Sequence, residues 1–258
     1  MVTYIFDGSL EGLLTAIFEF YENKPQQVRL VWSKFHQPMM LEESLEIIND
    51  ETKAKRVWNG LSKKLSQDWL FKFYRAYLGE DPAMTQHLFE FAMYIFDNPK
   101  GAESNFGNPH VMSIAQMDRK VGREKHRMTA FIRFQKTADG IYYAPCEPDF
   151  NVLPLISSFF KNRFADQRWI IYDTKRKYGL YYDLHSVEEV TYEFVSNVDT
   201  SKVLLPKEMT DEKEELASLL WKDYFTSTNI PARKNMKLHI QHVPKRYWKY
   251  LNEKEGKN

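Results

Sequence analysis

Cysteine is nearly absent from this 258-residue sequence, and long hydrophobic runs are missing. The single cysteine, Cys146, cannot form an internal disulfide or a multi-cysteine metal site. No stretch of about 18 uncharged apolar residues is present, so no transmembrane helix is predicted. Residues 1–7 contain an acid and no basic stretch, and a signal peptide is therefore not expected. These absences predict a cytoplasmic protein that has no membrane partner.

The sequence motifs of well-known catalytic sites are also missing. There is no P-loop, no glycine-rich dinucleotide fingerprint, no HExxH zinc motif and no GxSxG nucleophile motif. The sequence therefore predicts neither a cofactor nor a metal site. Any chemistry has to come from residues outside these motifs.

Aromatic residues are abundant, with 18 Phe, 15 Tyr and 6 Trp, and the charges are unevenly distributed. Residues 119–183 carry 13 basic and 7 acidic side chains, and residues 218–258 carry 9 and 3. Residues 1–118 and 184–217 are acidic, so the net charge of the whole chain is only +1. The two basic blocks can form one basic face only if the fold brings them together.

The hydrophobic pattern predicts a mixed α/β fold (α+β) with a central mixed sheet and flanking helices. We expect residues 1–32 to form a parallel β-α-β unit, with Ser9 as the helix cap. Residues 41–118 look like a helical insertion, and a helix over about 110–129 leads out of it. The strands expected to share one sheet are 3–6, 28–32, 131–135, 141–144, 169–173 and 180–183. The helices expected inside the insertion are about 52–66, 66–79 and 83–97.

The predicted domain organisation is one mixed α/β domain over residues 1–226. A basic and aromatic tail over residues 227–258 is expected to pack on that domain. Residues 198–210 read as a linker and residues 211–225 as a helix.

Aspartates stand at the ends of three predicted strands, and parallel-sheet proteins place ligand sites at such positions. The candidates for catalysis on a base or a phosphodiester are Asp7, Asp173, Asp183 and His126. Asp7 also reads as part of an ordinary turn and cap, and Asp183 with His185 as a strand-end turn. Clustering of these groups in one pocket would favour an enzyme, whereas dispersal over turns would favour a binding protein.

Lysine and arginine alternate with tyrosine and tryptophan in the predicted turn 175–178 and in the tail. This combination suits contact with phosphates together with stacking on bases. A solvated charged face, or docking of the tail on the core, is the alternative interpretation. We expect Tyr178, Tyr247 and Trp248 to be available for stacking. The candidate nucleic-acid-binding residues are Arg127, Arg133, Lys175, Arg176, Tyr178, Arg233, Lys245, Arg246, Tyr247 and Trp248.

Six segments carry a resemblance that covers almost the whole chain: residues 6–14, 124–135, 163–169, 171–183, 229–235 and 242–248. Together they resemble a bacterial family of DNA-metabolism proteins built around a domain of unknown function, DUF4130. The resemblance implies DNA and a radical S-adenosylmethionine (SAM) protein of DNA repair or modification as partners. It transfers no catalytic residues.

Some relatives carry a fused uracil-DNA-glycosylase-like domain, which we do not expect here. The chain also lacks the three-cysteine motif of radical SAM proteins, so any radical chemistry would belong to the partner. The first hypothesis is a DNA metabolism or repair protein that binds DNA or a damaged base together with that partner. The alternative is a nucleic-acid enzyme that acts on a base or a phosphodiester through the aspartates and His126.

Overall fold

The structure is a computed structural model that describes residues 1–38, 43–191, 240, 242–251 and 254. The chain divides into two compact units, Met1–Gly122 (unit 1) and Arg123–Asn258 (unit 2). The expected linker and the helix after it lie outside the described residues, as does Arg233. The single domain over residues 1–226 with its tail stays a prediction. No helix in the described ranges is long and apolar enough to cross a membrane.

Unit 1 begins with a three-stranded parallel sheet in the order β2-β1-β3. Helix α1 connects β1 to β2 and starts at the predicted cap, where the Ser9 hydroxyl oxygen accepts from the Gly12 amide at 2.9 Å. Leu13 and Ile17 of this helix are fully buried. The predicted β-α-β unit is confirmed. Its elements are β1 (Val2–Phe6), α1 (Leu10–Asn23), β2 (Val28–Trp32) and β3 (Ser44–Glu46).

Three helices follow the sheet of unit 1, as predicted, and each begins at a side-chain cap: Asp50, Ser66 and Asp81 accept backbone amides. The prediction that residues 41–118 are helical is wrong at its start, because β3 lies there and pairs with β1. The helices are α2 (Glu51–Lys64), α3 (Gln67–Tyr77) and α4 (Pro82–Asp97).

Helix α5 (Pro109–Phe131) begins in unit 1 and ends in unit 2. The predicted strand over 131–135 is wrong, because the helix continues to Phe131 and strand β4 covers only Gln135–Lys136. No glycine or proline interrupts the last two turns of the helix. The Arg133 guanidinium then donates to the carbonyl of Ala130 at 2.6 Å and caps the helix end.

Unit 2 contains a five-stranded sheet in the order β4-β5-β6-β7-β8. Only β5 and β6 are parallel, and α6 (Leu153–Arg163) connects them; β4, β7 and β8 pair antiparallel with their neighbours. The mixed α/β class is confirmed, but the expectation of one shared sheet is wrong. Strand β1 pairs with β2 on one side and with β3 on the other, and in the described residues these three strands form a sheet separate from the five-stranded one. The remaining strands are β5 (Tyr142–Cys146), β6 (Trp169–Asp173), β7 (Tyr178–Tyr182) and β8 (Val187–Val190).

Candidate nucleic-acid interface

The parallel strands β5 and β6 end side by side, with Cys146 and Asp173 as register partners. Residues 147–151 follow β5 as a loop, and residues 174–177 follow β6 as a turn. We call residues 146–151 and 173–178 together the carboxyl edge. Ligand sites of open α/β sheets lie outside such strand ends.

Asp173 is fully buried and holds the turn after β6. Its Oδ1 accepts from the amides of Lys175 (2.9 Å) and Arg176 (3.1 Å), and its Oδ2 pairs with the Arg176 guanidinium at 2.8 Å. Both carboxylate oxygens are therefore occupied by the turn itself. Asp173 positions Lys175 and Arg176 at the edge.

Arg176 joins the turn to the loop after β5. Its guanidinium also donates to the carbonyls of Pro148 (3.0 Å) and Asp149 (3.2 Å). The Lys175 ammonium lies 3.5 Å from the same Asp149 carbonyl. The loop thus presents carbonyl oxygens to two cations of the turn.

A buried carboxylate on α5 connects the loop to the end of the chain. Glu124 is 1% exposed, and its Oε1 accepts from the Asp149 amide (2.9 Å) and the Tyr247 hydroxyl (2.5 Å). Its Oε2 accepts no hydrogen bond in the described part of the chain. The guanidinium groups of Arg127 and Arg246 lie 3.5 and 3.9 Å from that oxygen. The buried charge is therefore compensated by two cations.

Residues 242–251, which we call the C-terminal segment, dock on the acids of the carboxyl edge. The Arg246 guanidinium pairs with the Asp149 carboxylate at 2.5 Å, and the Lys249 ammonium pairs with Glu147 at 2.6 Å. The Tyr250 hydroxyl donates to the same Glu147 carboxylate at 2.9 Å. Cations from the two separate basic blocks of the sequence thus contact one loop.

The C-terminal segment buries the rings of Tyr247 and Trp248, which weighs against the predicted stacking role of these two residues. Tyr247 is 2% exposed and its ring packs on Phe131 at 5.6 Å between centroids; Trp248 is 7% exposed. The Trp248 indole donates to the carbonyl of Val243 at 3.0 Å. Neither ring offers a free face for a base, and docking of the tail on the core accounts for both.

Other predicted residues lie outside this cluster or have a local role. His126 is exposed, and at two residues from Glu124 it points about 200° around the helix. Asp183 accepts from the amides two and three residues further on, at 2.8 and 2.7 Å, as an ordinary turn does. Asp7 belongs to unit 1 and accepts from its own turn. Tyr178 lies on the carboxyl edge, and its hydroxyl donates to the side-chain oxygen of Asn151.

The pKa values at the edge reflect this pairing. The hydrogen bond from Lys249 lowers the pKa of Glu147, and burial followed by the bond to Glu124 raises that of Tyr247. Burial raises the pKa of Cys146 well above its ordinary value, so this residue stays a thiol. The edge therefore offers no thiolate nucleophile.

Sequence reasoning missed Glu124, Glu147, Asp149 and Tyr250 as members of this site. Two signals were present: Glu124 stands three residues before Arg127 on one helix face, and an acidic loop directly follows β5. Within the described ranges, no group of three or more His, Cys, Asp or Glu residues could hold a metal ion.

The fold and this edge define a mixed α/β protein in which paired cations and acids surround the ends of two parallel strands. The chain belongs to the family of the domain of unknown function DUF4130, whose match covers residues 82–253. The match includes the whole carboxyl edge and the whole C-terminal segment. No curated protein matches the sequence.

Proposed function

We propose that this chain is a cytoplasmic DNA metabolism or repair protein. It binds DNA, or a damaged base in DNA, at the carboxyl edge of unit 2, and it works with the radical SAM partner that the family resemblance implies. Radical chemistry belongs to that partner, and this chain supplies the contact with the nucleic acid.

The observation that carries the proposal is the meeting of two basic blocks at one loop. Lys175 and Arg176 approach the loop 147–151 from the turn after β6, while Arg246 and Lys249 approach it from the end of the chain. A face on which cations from several segments converge is the electrostatic footprint of a nucleic-acid-binding protein.

The acids of the same edge form ion pairs with some of its cations, and the other cations are available to bind phosphates. Arg176 is held by buried Asp173, and Arg246 and Lys249 are held by Asp149 and Glu147. Lys175, Lys177 and Lys245 are exposed, and in the described part of the chain they form no ion pair with these acids. These three lysines, supported by the half-exposed Arg246, form the expected phosphate contacts.

The turns around the predicted catalytic aspartates support binding over catalysis. Asp173 and Asp183 each accept amides of their own turn, as Asp7 does in unit 1. A general acid or base needs a free oxygen within reach of substrate, which Asp173 does not offer. No observation favours the alternative of a nucleic-acid enzyme.

The direct test is DNA binding measured by fluorescence anisotropy across salt concentrations, with single-stranded, duplex and base-damaged oligonucleotides. About four phosphate contacts predict a log–log salt slope of roughly −3 on single strands and −4 on duplex. The double variant K175A/K177A should reduce the magnitude of that slope by up to about two.

The matched control is K55A/K63A, which removes the same two charges from exposed positions of α2 in unit 1. It should leave the slope unchanged. Binding that is undetectable or insensitive to salt with every DNA would overturn the proposal. Equal effects of the two double variants would show that only the net charge matters, and they would overturn the assignment to the carboxyl edge.

The proposed partnership has a separate test. Damaged oligonucleotides are incubated with this chain, with the radical SAM protein, and with both, and their masses are measured. We expect a mass change that requires both proteins or is faster with both. A change of equal rate with the partner alone would contradict the joint role.

A further inference from the structure

We propose that docking of the C-terminal segment completes the basic face, so that docking and DNA binding are thermodynamically coupled. This inference rests on the proposed function and adds to it a regulation of the same site. The segment then acts as a movable part of the interface: the edge attracts phosphates strongly where the segment is docked and only weakly where it is released.

The first step is the charge of the carboxyl edge and the α5 side chains beside it, without the segment. Four acids are present there, and four cations balance them. The docked segment adds three further cations and no acid within residues 242–251. The edge therefore changes from neutral to strongly basic on docking. The acids are Glu124, Glu147, Asp149 and Asp173; the resident cations are Arg127, Lys175, Arg176 and Lys177; the added cations are Lys245, Arg246 and Lys249.

The second step is that uncharged groups, in addition to the ion pairs of Arg246 and Lys249, help to hold the segment in place. Tyr247, Trp248, Tyr250 and Leu251 are all buried. The Tyr250 hydroxyl also lies 3.2 Å from the hydroxyl of Thr174, directly after β6. Docking can therefore be weakened by removing phenolic hydroxyls, which changes no charge of the protein at neutral pH.

The third step is linkage. If docking raises the affinity for DNA, bound DNA must stabilise the docked segment by the same factor. The apparent affinity of the whole protein is reduced by the fraction of molecules in which the segment is released. A charge-neutral substitution that releases the segment must then weaken DNA binding.

The test uses the full chain with the double variant Y247F/Y250F, which removes the hydroxyls that donate to Glu124 and Glu147. The matched control is Y182F, because the Tyr182 hydroxyl donates to the Leu184 carbonyl at 2.8 Å, away from the segment. Hydrogen–deuterium exchange over residues 242–251 measures docking, and anisotropy across salt concentrations measures DNA binding.

We expect exchange of the segment to become faster in Y247F/Y250F, by about a hundredfold or more, because two hydrogen bonds to carboxylates are lost. Its DNA affinity should fall and the magnitude of its salt slope should drop by about one to two units, whereas Y182F keeps both. In the wild-type protein, DNA should slow exchange of the segment.

Three outcomes would overturn the inference, and they are distinguishable. If the wild-type protein binds no DNA, the proposed function fails and the coupling fails with it. If the wild type binds DNA, faster exchange in Y247F/Y250F with unchanged affinity and slope overturns the coupling alone. Unchanged exchange of the segment when DNA is bound to the wild type also overturns the coupling alone.

Discussion

The ends of β1 in unit 1 and of β6 in unit 2 look alike in sequence but differ in how they are stabilised. Each strand ends at an aspartate that accepts amides of the following turn: Asp7 accepts from Ser9 at 2.9 Å, and Asp173 accepts from Lys175 at 2.9 Å. The second oxygen of Asp7 accepts from the neutral Asn49 amide at 2.8 Å, whereas that of Asp173 pairs with a guanidinium.

The difference follows from what comes next in the chain. Helix α1 begins three residues after Asp7, so the positive end of the helix and its amides lie beside an exposed carboxylate. After β6 the chain turns back into β7, and the carboxylate of Asp173 is buried. A buried carboxylate needs a charged partner, which Arg176 provides. Lys175 and Lys177 stand in the same turn, so they also lie at the carboxyl edge.

The largest predicted effect is the loss of the buried pair at the end of β6. The substitution R176A leaves the fully buried Asp173 without its cation, which should lower the free energy of unfolding by about 3–5 kcal/mol. Chemical denaturation measures this change. The control K175A removes a neighbouring exposed cation and should cost less than about 0.5 kcal/mol. A loss below about 1 kcal/mol for R176A would contradict the account of this edge.

A smaller effect is expected from crowding at the end of β1, where Gly12 lies close to the side chains of Asp7 and Asn49. In G12A the added Cβ would lie 2.5 Å from Asp7 Oδ1 and 2.8 Å from Asn49 Oδ1. Displacement of these groups should cost about 1–3 kcal/mol in thermal or chemical unfolding. Gly122 in α5 is the matched control, since a Cβ there meets nothing within 4 Å. G122A should stabilise the protein by up to about 1 kcal/mol, and a similar gain in G12A would refute the crowding.

The hydrogen-bond partners of Asp7 are neutral, so the loss of its negative charge should lower the free energy of unfolding only modestly. In D7N the amide group that replaces Oδ2 faces the Asn49 amide, so one of the two hydrogen bonds is lost. We expect a destabilisation of about 0.5–1.5 kcal/mol in chemical denaturation, well below that of R176A. D166N changes an exposed aspartate and should have no measurable effect. Equal losses of stability in D7N and R176A would contradict the distinction between the ends of β1 and β6.

Local elements were predictable from the sequence, whereas pairing over long distances was not. Helices α2 to α4 were predicted from apolar spacing, with Gly79 and Pro82 separating the last two, and β6 from an apolar run between turns. The single sheet was wrong because β3, a strand of three exposed residues, has no hydrophobic signal and yet occupies one side of β1.

The sequence singled out Asp173 and several cations of this edge, but not the acids Glu124, Glu147 and Asp149. Arg176 and Arg246 stood out in basic and aromatic strings, but nothing in those strings indicates that both contact the loop after β5. Nothing in the sequence marked Glu124 as buried, and its partner Tyr247 lies more than a hundred residues away in sequence. The aromatic residues of the tail were expected to stack on bases, because the spacing of such residues does not distinguish an exposed ring from one packed on the core.

The smallest effect concerns the pH dependence of docking at the loop after β5. The hydrogen bond from Lys249 lowers the pKa of Glu147 below its ordinary value of 4.5, and the bond from Tyr250 and the charge of Lys175 add to this shift. Burial opposes it. A carboxyl whose pKa is lower in the docked state stabilises docking above about pH 4.5. That contribution disappears as the pH falls through the lower value. Because Glu147 and Lys249 are 42% and 47% exposed, solvent screening limits the effect to a few tenths of a kcal/mol.

A carboxyl NMR titration of Glu147 should give a midpoint below 4.5, and E147Q should remove this part of the acid-induced release of the segment. A midpoint at or above 4.5, or the same pH profile in E147Q, would show that Lys249 does not anchor the segment through this acid.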